Sequence, residues 1–154
     1  MSRRVPLLIA LAVAWGATAP AHADEYSARV ARLLRATPLI DGHNDWPDAL
    51  RENEGEARWT ADLTNLSSRP HRYNTDIARL RQGMVGAQFW SVWVPADLPG
   101  KEQVERTLEQ IDLVHAIAAR YPDRFAMVRT AAEVRRAHQA GRIGCLIGVE
   151  GGGQ

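Results

Sequence analysis

The order of apolar strands and amphipathic helices is the feature that most constrains the fold of this sequence. The runs VGAQFWSVWV at 85–94 and IGCLIGVE at 143–150 are apolar without alternation, which is typical of strands buried on both faces. Shorter runs at 38–40 and 125–128 are two further candidate strands. Apolar residues at helical spacing predict helices at 25–35, 76–82, 101–121 and from 131 up to Gly141. Such an order favours a parallel sheet covered by helices on both sides, in the α/β class.

Two α/β architectures are compatible with this order. Four strands are about half of a (β/α)8 barrel, which needs ~250 residues, whereas a small doubly wound sheet would be complete within 154 residues. The chain ends on Gly-Gly-Gly-Gln directly after a strand, which favours a barrel interrupted partway. Between the first two strands, residues 51–74 show no clear period, and we predict a loop with one short helix at most. Thr75 is the expected cap of the helix at 76–82, and Thr130 with Glu133 has the capping-box pattern.

Residues 1–23 have the pattern of a secretory signal peptide. Arg3 and Arg4 precede an apolar stretch at 5–14, and Ala21-His22-Ala23 is a small-residue cleavage site. The apolar stretch is shorter than the about 20 residues that a membrane-spanning helix needs. We therefore expect export to the periplasm or the medium, no membrane span after cleavage, and one incomplete structural unit at 24–154.

Charge and cysteine content narrow the classes of function. Loss of Arg3 and Arg4, in a segment without acidic residues, lowers the net charge by two, from +1 to −1. No basic stripe with interleaved aromatic residues is present, so we expect no nucleic-acid partner. Cys145 is the only cysteine, which rules out an internal disulfide. Its apolar surroundings at 143–149 indicate a small buried hydrophobe and not a nucleophile.

A histidine and a carboxylate end the first strand. His43 and Asp45 are two residues apart, and side chains at i and i+2 project from the same face of a strand. The C-terminal ends of barrel strands are where barrel enzymes place their active sites. An imidazole and a carboxylate are good ligands for Zn²⁺, although a catalytic zinc site needs at least three protein ligands. On spacing alone, hydrogen bonding within a loop is the favoured explanation of such a pair.

Glu150 is a third candidate ligand. It ends a second apolar strand and precedes Gly151-Gly152-Gly153, where the backbone can turn sharply and approach a ligand closely. A carboxylate at the end of a buried strand is costly unless it is paired or binds a cation. The alternative is a capping or loop role in a solvated turn, and the residues alone leave both open. Asp41 is two residues before His43 and is expected on the same face of the strand. For Asp41 we favour capping of the strand-to-loop turn over orientation of a metal ligand.

Four segments resemble the renal (membrane) dipeptidase family of zinc metallopeptidases. They are LIDGHND at 39–45, TDIARLR at 75–81, GMVGAQFWSV at 83–92 and LIGVEGG at 146–152. They occur in the order of the family and at about its spacing, over most of the chain after residue 24. The chain is thereby identified as an N-terminal part of such an enzyme.

The resemblance implies a (β/α)8 barrel of the metal-dependent hydrolase type that binds two zinc ions. By its motifs, His43 and Asp45 would bind one zinc ion and Glu150 would bridge both. Two histidine ligands, a substrate-binding arginine and an acidic catalytic residue would come from later strands, so no catalytic residue is assigned in this chain. Many family members have histidine where this chain has Gly153, and no role is carried over to that position.

The implied activity is hydrolysis of the peptide bond of dipeptides through a metal-activated hydroxide. The resemblance is compatible with a homodimeric enzyme. Two alternatives stay open. The 154-residue chain could itself be a non-catalytic remnant, because half a barrel exposes two sheet edges and an apolar face. The second alternative is a related metal amidohydrolase that acts on lactams, lactones or N-acyl amino acids. The His-x-Asp pattern favours the dipeptidases over those relatives.

The remaining polar and aromatic residues have structural interpretations. Trp46 is expected either at the substrate entrance or in packing, and Arg79 and Arg81 are interpreted as solvated helix charges. The histidines His71, His115 and His138 are expected to be bystanders.

Overall fold

The computed structural model describes residues 21–69 and 73–151. The predicted signal peptide lies almost wholly outside this part of the chain, as do His71 and Gly153. The helices are α1 (Ala21–Ala36), α2 (Trp46–Glu54), α3 (Ile77–Gln82), α4 (Gly100–Arg120) and α5 (Ala131–Gln139), with a 3-10 helix at Gly55–Trp59. The strands are β1 (Leu39–Asn44), β2 (Val85–Val92), β3 (Phe125–Met127) and β4 (Ile143–Val149). None of the described helices combines the length and apolar character that crossing a bilayer requires.

All four strands pair in parallel in one sheet, in the order β1-β2-β4-β3. The predicted α/β class with a parallel sheet is therefore confirmed. β1, β2 and β4 are successive neighbours in this order, and β3 lies beyond β4. β3 is only three residues long and pairs with the first residues of β4, Ile143 to Cys145, at the outer edge of the sheet.

The two long connections place helices on opposite faces of the sheet. The crossover from β2 through α4 runs outward to β3, whereas the crossover through α5 runs back to β4. Because both crossovers are expected to be right-handed, reversing their direction moves the helix to the other face. The two hydrophobic clusters agree with this: one joins α4 to Trp90 and Cys145, and the other joins α5 to Ala87 and Leu146.

Helix α2 was not expected from the sequence. It begins where the prediction placed the end of a strand, with Pro47 in its first turn and Trp46, Pro47 and Leu50 buried. Proline in the first turn is a helix-start signal, since the missing N–H has no helical partner there. The packing of Trp46 against Trp90, with ring centroids 5.3 Å apart, fixes this helix on the sheet and settles the role of Trp46 as packing.

The start of α3 differs from the prediction by one residue. Asp76, not Thr75, is the N-cap, and its Oδ1 accepts a hydrogen bond from the Arg79 amide at 2.8 Å. The Asp76 carboxylate also accepts bonds from the Leu66 amide and the Arg79 Nε, each at 3.0 Å. The interpretation of Arg79 as a solvated charge was wrong, because its guanidinium also donates to the Tyr73 carbonyl and fastens the preceding loop. The capping box of Thr130 and Glu133 in α5 is confirmed.

Candidate metal centre

Three chemically suitable side chains meet at the C-terminal end of the sheet. One ligand atom from each of His43, Asp45 and Glu150 lies within 4.8 Å of the other two, and this group is called the metal cluster below. His43 is the penultimate residue of β1, Asp45 follows the strand as the N-cap of α2, and Glu150 follows β4. The structure therefore brings together all three residues that the sequence singled out as metal ligands.

His43 is the centre of the metal cluster. Its Nε2 lies 3.2 Å from Asp45 Oδ1, and its Nδ1 lies 3.8 Å from Glu150 Oε2. The side chains of His43, Asp45 and Glu150 are 54%, 59% and 41% exposed, respectively, so the cluster is open to water and to a substrate. Two arrangements satisfy this geometry: a charged imidazole between two carboxylates, or a cation held by one nitrogen and several oxygens.

The backbone around His43 is not a regular strand. The register with β2 shifts between Asp41 and Asn44. Asp41 Oδ1 accepts a hydrogen bond from the backbone amide of His43 at 3.2 Å. Asp41 therefore caps the turn at the end of β1, which was the favoured interpretation.

Asn44 fixes the segment between the candidate ligands His43 and Asp45. Its side-chain nitrogen donates to Thr75 Oγ1 at 2.9 Å, and its side-chain oxygen accepts from the Trp46 amide at 3.1 Å. The first contact ties β1 to the loop before α3, and the second caps the start of α2. His43 and Asp45 thus flank a residue whose side chain is fixed on both sides.

Glu150 is positioned by the neighbouring strand β2. Its amide donates to the Val92 carbonyl at 3.2 Å, which extends the pairing of β4 by one residue. Its Oε1 accepts a hydrogen bond from Ser91 Oγ, also at 3.2 Å, and Ser91 is only 4% exposed. Sequence reasoning missed both Ser91 and Asn44, because a hydroxyl or an amide inside a strand carries no signal until its neighbour is known.

The donor set fits a zinc ion. One imidazole and two carboxylates are ligand types that Zn²⁺ takes at about 2.0–2.2 Å, so two ligands of one ion lie roughly 3–4 Å apart. The separation of 3.2 Å between His43 Nε2 and Asp45 Oδ1 lies in this range, and one donor atom from each of His43, Asp45 and Glu150 lies within 4.8 Å of the other two. Ligands held by hydrogen bonds from surrounding residues, as Glu150 is by Ser91, are the usual arrangement around protein metals.

A polar cavity of about 260 Å³ adjoins the metal cluster through Asp45. Asn44, Tyr73, Asn74 and Thr75 contribute to its lining. Burial, followed by the hydrogen bond that the Tyr73 hydroxyl donates to Glu54 at 2.8 Å, raises the pKa of Tyr73 above its ordinary value. The phenol therefore stays neutral and keeps the wall of this cavity in place.

The residues expected to be bystanders lie away from the metal cluster. Cys145 is buried, and burial raises the pKa of its thiol to about 11, which confirms a packing role. His115 is exposed on α4. His138 Nε2 lies 3.1 Å from the Arg35 carbonyl and links α5 to the end of α1.

Comparison with known proteins gives a consistent result. The sequence profile of the membrane dipeptidases (peptidase family M19) matches residues 27–154. Dipeptidase ataJ of Aspergillus terreus (strain NIH 2624 / FGSC A1156) is 40% identical over 142 residues, which are 87% of this chain and 34% of that protein. Dipeptidase 3 of Homo sapiens is 42% identical over 124 residues, which are 80% of this chain and 24% of that protein. The chain thus spans a quarter to a third of the length of these relatives.

Two solved structures resemble this one. The dipeptidase AC, a metallopeptidase of family M19, has a TM-score of 0.61 at 27% identity, covering 74% of this chain and 35% of that chain. A metallopeptidase from Rhodobacter sphaeroides, solved with a phosphinate mimic of the dipeptide L-Ala-D-Ala, has a TM-score of 0.60 at 24% identity. It covers 74% of this chain and 38% of that chain, and shows likeness of fold. The architecture is that of the N-terminal part of a (β/α)8 barrel.

Proposed function

Because the chain belongs to the membrane dipeptidase family, peptidase family M19, we propose that it forms the N-terminal part of a metal-dependent dipeptidase. The observation that carries the proposal is the metal cluster: an imidazole and two carboxylates from the ends of two strands within 4.8 Å of one another. The relatives named above are dipeptidases, and we extend peptide-bond hydrolysis of dipeptides from them to the complete protein.

Within this proposal the metal is zinc, and the complete enzyme holds two ions. His43 and Asp45 hold one ion and Glu150 bridges both, which agrees with their ligand types and separations. Zinc supplies a lowered pKa for bound water and polarisation of a carbonyl group. The remaining ligands come from outside the 154 residues.

The residues of this chain keep the ligands in place and leave their open side accessible. Ser91 holds one oxygen of Glu150, so the other oxygen, Oε2, is the one that faces His43. Asn44 fixes the backbone between His43 and Asp45 through Thr75 and the Trp46 amide. Since all three ligand side chains are about half exposed, a small substrate can reach them from solvent.

Export is a further part of the proposal. The motivating pattern is the segment 1–23, with its two arginines, apolar stretch and Ala-x-Ala site. N-terminal sequencing of the protein recovered from the periplasm or the medium should begin at Asp24. Recovery of the full N-terminus from the cytoplasm would contradict this part alone.

The first experiment is to read the gene beyond codon 154. The proposal requires a reading frame that continues and supplies two further histidines at later strand ends. A stop codon after Gln154 would mean that one chain never completes the site, and the product would then be a non-catalytic remnant.

The second experiment assays the complete protein, loaded with Zn²⁺, on dipeptides, N-acyl amino acids and lactams. We expect hydrolysis of dipeptides, abolished by His43→Ala and Glu150→Gln. Glu105→Gln on the exposed surface of α4 is the matched control and should keep full activity. Cleavage only of the N-acyl amino acids or lactams would replace the dipeptidase proposal by a related amidohydrolase.

A further inference from the structure

The end of the sheet opposite the metal cluster carries a concentration of positive charge. A cavity of about 260 Å³ lies there, and its lining includes Leu34, Arg35, Arg81, Met84, His138 and Arg142. Arg35 precedes β1, Arg81 precedes β2 and Arg142 precedes β4. The cavity, called the basic cavity below, therefore lies at the N-terminal ends of the three strands that support the metal cluster.

No carboxylate compensates the arginines of the basic cavity. None of its lining residues is acidic. Arg35, Arg81 and Arg142 take part in none of the ion pairs found among residues 21–69 and 73–151. By contrast, Arg79 of α3 is paired with Asp76, and Arg136 of α5 is paired with Glu133.

Helix ends account for only part of this charge. α1, α3 and α5 all end beside the basic cavity, at Ala36, Gln82 and Gln139. Each helix C-terminus carries a partial charge of about −0.5, so three of them offset about half of three guanidinium charges. About 1.5 positive charges remain on three arginines that line one cavity, of which Arg35 and Arg81 are exposed to solvent, and this excess charge attracts an anion.

His138 holds one side of the basic cavity in place. Its Nε2 contacts the Arg35 carbonyl at 3.1 Å, and its Nδ1 lies 3.1 Å from where a Cβ on Gly86 would stand. The Nε2 atom is thus occupied by a contact within the fold, and the ring packs beside Gly86. His138 anchors the end of α1, and with it Arg35, against the start of the sheet.

We propose that the basic cavity is an oxyanion-binding site that takes a phosphate or carboxylate group through Arg81 and Arg142, with Arg35 at its rim. The planar guanidinium presents paired N–H donors that match these oxyanions, which is why arginine is used for them. The oxyanion has two sources with the same chemistry: a free anion, or a carboxylate side chain from a part of the protein outside the 154 residues.

The test uses the complete protein and the variants Arg81→Gln, Arg142→Gln and their double. Arg135→Gln is the matched control, because Arg135 lies exposed on α5 and does not line the basic cavity. Isothermal titration with inorganic phosphate measures binding, and thermal unfolding without phosphate measures stability. Phosphate also binds metals, so the titration is repeated in Glu150→Gln, where arginine-dependent binding should be unchanged.

For a free anion, phosphate binds the wild type and each single variant binds it about tenfold more weakly or worse, the worth of one charge-assisted hydrogen bond. If the anion is an internal carboxylate, phosphate does not bind and each single variant is less stable than the wild type. The double variant then loses less stability than the sum of the losses in the two single variants. Arg81→Lys also loses stability or binding, since it keeps the charge at the helix end but not the paired donors.

The proposal is overturned if phosphate does not bind and either the stability losses of the two single variants add up in the double variant or the variants are more stable than the wild type. Without an anion, removing one of several repelling arginines relieves repulsion, and a purely helix-capping role is retained by lysine. Loss of phosphate binding in Arg135→Gln to the same extent would likewise show that surface charge, and not the basic cavity, binds the anion.

Discussion

Replacement of Ser91 by alanine tests whether the metal cluster depends on β2 for its geometry. Ser91 Oγ donates to Glu150 Oε1 at 3.2 Å from a position that is only 4% exposed. In Ser91→Ala that oxygen loses its donor, because alanine has no hydroxyl group. Glu150 then loses one of the contacts that orient its side chain, and the separation between its Oε2 and His43 should change.

The expected magnitude follows from the geometry of this hydrogen bond. A hydrogen bond to a charged group contributes about 1.5–3 kcal/mol, and the loss of residues that orient metal ligands lowers metal affinity roughly 10–100-fold. The Oγ–Oε1 distance of 3.2 Å is longer than the usual ~2.7–2.8 Å for a hydroxyl donor, which places the effect at the lower end. We therefore expect zinc affinity to fall about tenfold.

The assay is competition with a zinc chelator on the complete protein, together with thermal unfolding of the metal-free form. Ser67→Ala is the matched control, because the Ser67 hydroxyl also donates to a side chain, Asn65, but on the surface. Zinc affinity should fall in Ser91→Ala alone, while the metal-free forms unfold at similar temperatures. This reasoning is refuted if Ser91→Ala keeps a zinc affinity within twofold of the wild type while Glu150→Gln loses zinc binding.

Three further predictions concern the stability and reactivity of the fold. Burial tends to raise the pKa of Asp76, but hydrogen bonds from Arg79 and Leu66 outweigh burial, and the net effect is a lowered pKa. We expect Asp76→Ala to lower the free energy of unfolding by about 2–4 kcal/mol near pH 7, as measured by denaturant unfolding. Because the pKa of Asp76 is lower in the folded state, this stabilisation is present above the unfolded pKa of about 3.9 and is lost as the pH falls through the folded pKa. The unfolding free energies of the wild type and Asp76→Ala should therefore converge in acid. A difference that stays constant with pH would contradict this reasoning. Gly86→Ala should destabilise by about 1–3 kcal/mol, because the added Cβ would stand 2.6 Å from Pro38, and a melting temperature equal to that of the wild type would exclude the close approach. Cys145 should not react with a thiol reagent in the native protein at pH 7–8, since burial raises its pKa to about 11, whereas rapid native labelling would show an accessible thiolate.

The sequence was sufficient for the elements whose signals are local. All four strands, the long helix α4 and the capping box of α5 were predicted within a few residues, because periodicity and capping chemistry are carried by neighbours in sequence. Helix α2 was missed, although Pro47 in its first turn marked it, because residues 46–50 were assigned to no element and the residues after them to a loop.

The residues that support the metal cluster could not be predicted in the same way. His43, Asp45 and Glu150 were recognised because charged groups at the ends of apolar strands need an explanation. Ser91 and Asn44 are ordinary polar residues until the strand register places Ser91 beside Gly148 and Asn44 within reach of Thr75. Their roles depend on pairs 59 and 31 residues apart in sequence, which no local pattern encodes.

The strand order decides whether the metal cluster can exist at all. Neighbouring strands lie about 4.8 Å apart, so β1 and β4 are separated by roughly 10 Å in the observed order, with β2 between them. An imidazole and a glutamate that lean toward each other can close that gap, as the 3.8 Å contact of His43 with Glu150 demonstrates. Had the four strands followed chain order, β3 would add another spacing and the gap would be roughly 14 Å, beyond the reach of these side chains. The return of β4 to the side of β2, with the short β3 displaced to the edge and α5 moved to the opposite face, is therefore the step of the fold that brings the third ligand to the first two.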